Sequence, residues 1–115
     1  MGNNPVADKS KAFAIRIIRL YQHLIAEKKE VVLSKQVLRS GTSIGANVRE
    51  AAGAQSKADY IAKMHIALKE TNETIYWLEL LKETDYITEQ AGTSLLADCQ
   101  ELQKLITSIL KTAKQ

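Results

Sequence analysis

Lys9, Arg16, Arg19 and His23 fall within about 80° of one another when the chain is wound at 100° per residue, which makes a cationic stripe on one helix face. Cations repeated along a face are what phosphate groups bind, so the stripe is a candidate nucleic-acid contact, with Lys28 and Lys29 extending it. The same pattern also serves as an ordinary solvated face. The net charge of +3 is too small to choose between these readings, but its distribution is uneven. Residues 1–57 hold 10 Lys/Arg against 4 Asp/Glu, and residues 58–115 hold 6 against 9. A basic first half can pair with an acidic second half inside the fold or turn its charge outward, and a count leaves both open.

Other chemistries find few residues to carry them. No GxxxxGK[ST], GxGxxG or GxSxG string is present, so a phosphate-cradling loop or nucleophile elbow is not expected. His23 and His65 lie on different segments without a Glu-x-x-His partner, and Glu70, Glu73, Glu79 and Glu83 have no histidine three residues on, as a carboxylate-bridged metal site in a bundle would require. Those glutamates read as a solvated or interface face. The single thiol, Cys99, sits on an apolar stripe and reads as a small hydrophobe. Trp77 reads as interface packing in preference to a base-stacking platform, since no aromatics interleave with lysines. A non-enzymatic protein without cofactor or metal is the expectation.

These residues must be positioned by helices. With 5 glycines and 1 proline in 115 residues, 45% of them hydrophobic and 25% charged, the chain reads as one all-α domain. Apolar spacing and stop signals predict four helices, over about 9–28, 35–53, 57–84 and 89–113, joined by short loops into an antiparallel up-down-up-down four-helix bundle. Asp8, Ser34, Ser56 and Thr88 are the expected N-caps. No stretch of about 18 apolar residues and no secretory start is evident, so no membrane partner and a cytoplasmic location are expected.

Phe13, Ile17, Leu20, Tyr21 and Leu24 form the buried stripe of the first helix, with Ile18 and Ile25 widening it beyond what one bundle uses. On the second, Val37, Gly41, Ile44, Gly45, Val48 and Ala52 share a face, and two glycines there imply close approach of another helix. Beside them Gln36, Ser40, Ser43 and Asn47 make a polar row flanked by Arg39 and Glu50. Arg39, Ser43, Asn47 and Glu50 are candidates for a structural polar network. The third helix carries Tyr60, Met64, Ala67, Leu68, Ile75 and Leu78, plus a second apolar strip of Ala62, Ile66, Trp77 and Leu80. A regular stripe of Leu95, Cys99, Leu102, Ile106, Ile109 and Ala113 marks the fourth. The surplus apolar positions Ile18, Ile66, Trp77 and Leu80 are candidate oligomer-interface residues.

The order Arg39, Ser40, Ser43, Ile44, Asn47, Glu50, followed by the block Ala67-Leu68-x-Glu70 and by Tyr76-Trp77-Leu78-Glu79-Leu80, resembles the small proteins encoded within intervening sequences of bacterial 23S ribosomal RNA genes. The similarity covers most of the chain. Members commonly continue Ile-Ala-Glu-Gly after the asparagine, whereas here Val48-Arg49-Glu50-Ala51 follows and the glycine is displaced to Gly53. The resemblance implies a four-helix bundle assembled as a homopentamer, and no catalytic site. Similar bundles serve as accessory proteins of diversity-generating retroelements, where a basic pentamer engages nucleic acid and a reverse transcriptase. By that analogy the expected partners are further copies of the chain, RNA or DNA, and a reverse transcriptase or another protein. The alternative is a protein-interaction scaffold that binds no nucleic acid.

Overall fold

The computed structural model describes residues 4–115. Four helices follow one another: α1 (Pro5–Ala26), α2 (Leu33–Ala52), α3 (Lys57–Glu83) and α4 (Glu89–Ala113). The short links force each helix to run back along its predecessor. Helix α1 packs on α2 and α4, α3 packs on the same two, and α1 and α3 stand at diagonal corners. The result is a square antiparallel bundle measuring 44 × 24 × 19 Å, with α3 spanning nearly its whole length.

Two helix starts match the expected caps. Ser56 Oγ accepts from Asp59 N at 3.0 Å, and Thr88 Oγ1 accepts from Ala91 N at 3.0 Å. The other two differ. Helix α1 begins at Pro5, before Asp8, because Asn4 Oδ1 caps Ala7 N at 3.2 Å and a proline in the first turn sacrifices no hydrogen bond. It ends at Ala26, short of Lys28, and Lys29 takes a left-handed φ of 56° that no helix continues. Helix α2 begins at Leu33, so Ser34 lies inside its first turn and is buried. Its cap is the Glu30 carboxylate, which accepts from Val32 N (3.1 Å), Leu33 N (3.0 Å) and Ser34 N (2.7 Å). Helices α2 and α3 each end one residue before the expected limit, at Ala52 and Glu83, and Gly53 follows the former.

Phe13, Ile17, Leu24, Val37, Ile44, Met64, Leu78, Leu81, Leu102 and Ile106 fill the core. Close approach of α1 and α2 occurs at the glycines: a Cβ on Gly41 would stand 2.8 Å from Ile17 Cγ1, and one on Gly45 would stand 3.4 Å from the Ser10 carbonyl oxygen. Ala52, by contrast, is exposed, since the buried face of α2 turns to Ala51 in its last turn. The core also holds hydroxyls that apolar spacing passes over. Thr71 donates to the Ala67 carbonyl at 2.7 Å, and the Thr74 and Ser40 hydroxyls meet at 2.8 Å between α3 and α2. Cys99, fully buried, directs its thiol at the Thr71 carbonyl. Tyr60, Leu68, Ile75 and Ile109 lie half-buried around this centre.

Candidate nucleic-acid interface

The basic stripe of α1 borders α4, and the two helices share the slightest packing of the four adjacent pairs. Charged side chains bridge that seam. Lys9 Nζ lies 2.9 Å from Glu101 Oε2, and Arg16 holds Asp98 Oδ2 at 2.7 Å while also reaching Ser94 Oγ at 3.2 Å. These two cations of the expected phosphate-contact set thus face acids supplied by the second half of the chain. Among the described residues, Arg19, His23, Lys28 and Lys29 form no ion pair. The Lys29 ammonium turns back to the Ala26 carbonyl at 2.9 Å, where a cation complements the helix C-terminus.

Above Arg16 the seam opens into a groove of about 750 Å³, closed at the end of the bundle by the α3–α4 link. Leu20, Tyr86, Ile87 and Leu95 give it an apolar floor, and Arg16, Arg19, His23 and Lys28 line its α1 side. Lys82, Asp85 and Glu89 stand at the far end, where Lys82 Nζ pairs with Glu89 at 3.3 Å. Asp85, at φ 66°, makes the left-handed turn that reverses the chain and lets Tyr86 N reach the Leu81 carbonyl at 3.0 Å. That turn brings Tyr86 and Ile87 beside α1. Sequence reading missed Lys82, Tyr86 and Ile87 as groove residues because their neighbours on α1 are some sixty positions away, and no local pattern records which seam they close.

The polar row of α2 makes a different arrangement. Arg39 pairs with both Glu70 and Glu73 of α3, and Glu73 in turn accepts from Trp77 Nε1 at 2.9 Å. The Arg39 guanidinium, and after it the Trp77 indole, hold the Glu73 carboxyl below the usual glutamate range. Glu50 pairs with Lys63 at 3.2 Å. Ser43 donates to the Arg39 carbonyl at 2.7 Å and Asn47 to the Ser43 carbonyl at 2.9 Å, so both bond back along their own helix. The row therefore ties α2 to α3 at its two charged ends. Burial, and then Asp98, pushes the Cys99 thiol up to about 12, far from the thiolate a nucleophile needs. Among the described residues no three His, Cys, Asp or Glu side chains gather as a metal site would require, and no helix is long and apolar enough to cross a membrane.

The apolar surplus lies on opposite sides of the bundle. Ile18 is 40% exposed on α1, Ile66 is 40% exposed on α3, and these helices occupy diagonal corners. Ile15 joins Ile18, while Tyr76 packs its ring 5.3 Å from that of Trp77. Trp77 and Leu80 are half-buried.

Residues 2–108 match the 23S rRNA-intervening sequence proteins. The chain belongs to that family. A crystal structure of a protein of unknown function from the S23 ribosomal protein family, from Bacteroides thetaiotaomicron VPI-5482, superposes on this fold with a TM-score of 0.91. The two sequences are 60% identical over 92% of this chain and 98% of the other. No curated protein matches significantly. Membership in the 23S rRNA-intervening sequence family accounts for the all-α bundle, and neither match names an enzymatic activity.

Proposed function

We propose that this member of the family is a non-enzymatic bundle that self-associates and binds nucleic acid through the α1 end of the α1–α4 seam. The observation that carries this reading is the set of cations left without an acid. Lys9 and Arg16 are already matched by Glu101 and Asp98, whereas Arg19 and Lys28 line an open groove with no carboxylate paired to either. Unmatched cations retain their attraction for phosphates, and Lys29 adds to the local field. A homopentameric ring, as the family resemblance implies, would repeat the surface in each subunit and raise a weak single-site affinity through multivalency.

Titration of labelled RNA and DNA, single-stranded and duplex, at low and near-physiological salt tests this. Saturable binding with a steep salt dependence is expected. Replacing Arg19 and Lys28 with glutamine should weaken binding and flatten that dependence, whereas Lys9→Gln should change it little because Glu101 already occupies Lys9. No binding to any of the nucleic acids at low salt, with an intact oligomer, would defeat the proposal. That result would favour the scaffold reading, for which the neutralisation of Lys9 and Arg16 within the fold is the supporting observation. In it the α3 surface around Tyr76 and Ile66 meets another protein, such as the reverse transcriptase of the retroelement analogy.

A further inference from the structure

The groove between α1 and the α3–α4 link combines two surfaces that a single ligand must satisfy together. Its floor is apolar, from Leu20, Ile87 and Leu95, with the half-buried ring of Tyr86 beside them. Its α1 rim is cationic, and two of the rim cations, Arg19 and Lys28, are unmatched. The geometry points to single-stranded nucleic acid as the occupant, with one unstacked base laid against Tyr86 and its flanking phosphates on Arg19 and Lys28. This inference rests on the nucleic-acid reading above and narrows it.

Charge and shape select this occupant. A duplex presents phosphates on a convex surface and keeps its base faces stacked inside, so it would cover the apolar floor without matching it. An unpaired nucleotide carries an anionic group and a flat aromatic face on the same unit, and such faces stack on aromatic side chains irrespective of sequence. The groove volume of about 750 Å³ suits a ligand of nucleotide size, whereas a duplex could only lie across its mouth. Arg16, paired with Asp98 and bonded to Ser94, lines one wall, and the neighbouring Arg19, with no ion-pair partner, is left to meet a phosphate. At the other end the Asp85 carboxylate repels phosphates, while Glu89 is matched by Lys82, and this favours a backbone running along α1. Their carboxylates accept hydrogen bonds and so suit the amino edges of a base.

The test uses the full chain, a labelled oligoribonucleotide of about eight residues, within the site sizes typical of single-strand binders, and the same strand annealed to its complement. Tighter binding of the single strand is expected. Tyr86→Ala should weaken it by about tenfold, the loss that removing one base–aromatic stack brings, while Tyr86→Phe retains it. Replacing both Arg19 and Lys28 with glutamine should reduce the log–log salt slope by about 1.4, the share of two phosphate contacts on a single strand. Should Tyr86→Ala fail to fold, Ala91→Glu serves instead, because Ala91 is exposed on α4 within the groove and a carboxylate there would repel the strand. Equal or tighter binding of the duplex overturns the inference and leaves the broader reading standing. Unchanged single-strand affinity in a folded Tyr86→Ala or Ala91→Glu protein overturns it likewise. Failure of both probes to bind at low salt overturns the inference and the broader reading together.

Discussion

Gly41 and Gly45 share one face of α2 but carry different steric loads. A methyl group on Gly41 would meet three atoms of Ile17 at 2.8, 2.9 and 3.2 Å, and a β-branched side chain anchored in a fully buried position has little freedom to yield. Overpacking of this kind costs about 1–3 kcal/mol, more than the roughly 1 kcal/mol that alanine gains over glycine in a helix. Gly41→Ala is therefore expected to destabilise the fold by about 1 kcal/mol. At Gly45 the nearest atom stands at 3.4 Å, so Gly45→Ala keeps its helix gain, about 1 kcal/mol of stabilisation. Urea unfolding of the two variants should shift in opposite directions, and a common direction would contradict the packing. A second expectation concerns Glu73, whose carboxyl lies below its ordinary value of 4.5. A carboxyl lowered in this way stabilises the fold above 4.5, and its contribution is lost as pH falls through the folded value. Trp77, the sole tryptophan, bonds to that carboxylate and reports its protonation. The acid transition of its fluorescence should have a midpoint below 4.5, and Arg39→Gln should raise that midpoint by removing the principal cause of the shift.

The start of α2 owes its position to a residue outside the helix. Burial opposes the charge on Glu30, yet the backbone N–H groups of Leu33, Ser34 and Val32 outweigh it and hold the carboxyl below 4.5. Its stabilising contribution is therefore present above 4.5 and declines as the pH falls through the lowered value. Glu30→Ala should cost about 1–2 kcal/mol, the range for loss of a helix cap, and Glu30→Gln should blunt the acid-side decline in stability that the native carboxylate causes. Thermal melts from neutral to acidic pH decide this; parallel curves for the native protein and Glu30→Gln would contradict it. The same element shows what a sequence makes legible. Ser56 and Thr88 stand immediately before their helices, so local spacing exposes their capping role. Glu30 acts across a turn from beyond the expected start, and Ser34 has the right chemistry one turn position too late. Core stripes were legible through their periodicity, and the polar layer of Ser40, Thr71 and Thr74 was not, because hydroxyls bonded within a helix or to each other cost little to bury. For the candidate site, the cations of α1 were visible from spacing. Their partners Glu101 and Asp98 were not, since pairing depends on the register of α4 against α1, and neither was the groove that the reversal at Asp85 closes.

At the scale of the molecule, the arrangement of apolar patches constrains how copies can meet. Ile15 and Ile18 mark the free face of α1, and Ile66, Tyr76 and the half-buried Trp77 and Leu80 mark that of α3, at the opposite corner. A two-fold dimer needs one self-complementary patch on each subunit. A closed ring needs two different patches, because each subunit offers one face to the neighbour ahead and the other to the neighbour behind. Two dissimilar patches on opposite sides suit the ring. Ile15 lies one helical turn before Arg19, about 40° from it at 100° per residue, so a ring contact on this face would border the cationic rim of the groove. If the ring contact joins α1 of one subunit to α3 of the next, either Ile18→Lys or Ile66→Lys alone should abolish the ring and yield monomers in sedimentation equilibrium. Mixing the two variants supplies a complete test of polarity. The Ile18→Lys subunit retains a native α3 face, the Ile66→Lys subunit retains a native α1 face, and these two meet once. A one-to-one heterodimer should form and grow no further, because both outward faces carry a lysine. A mixture that stays monomeric, or variants that remain fully assembled alone, would show that the two faces are not each other's partners.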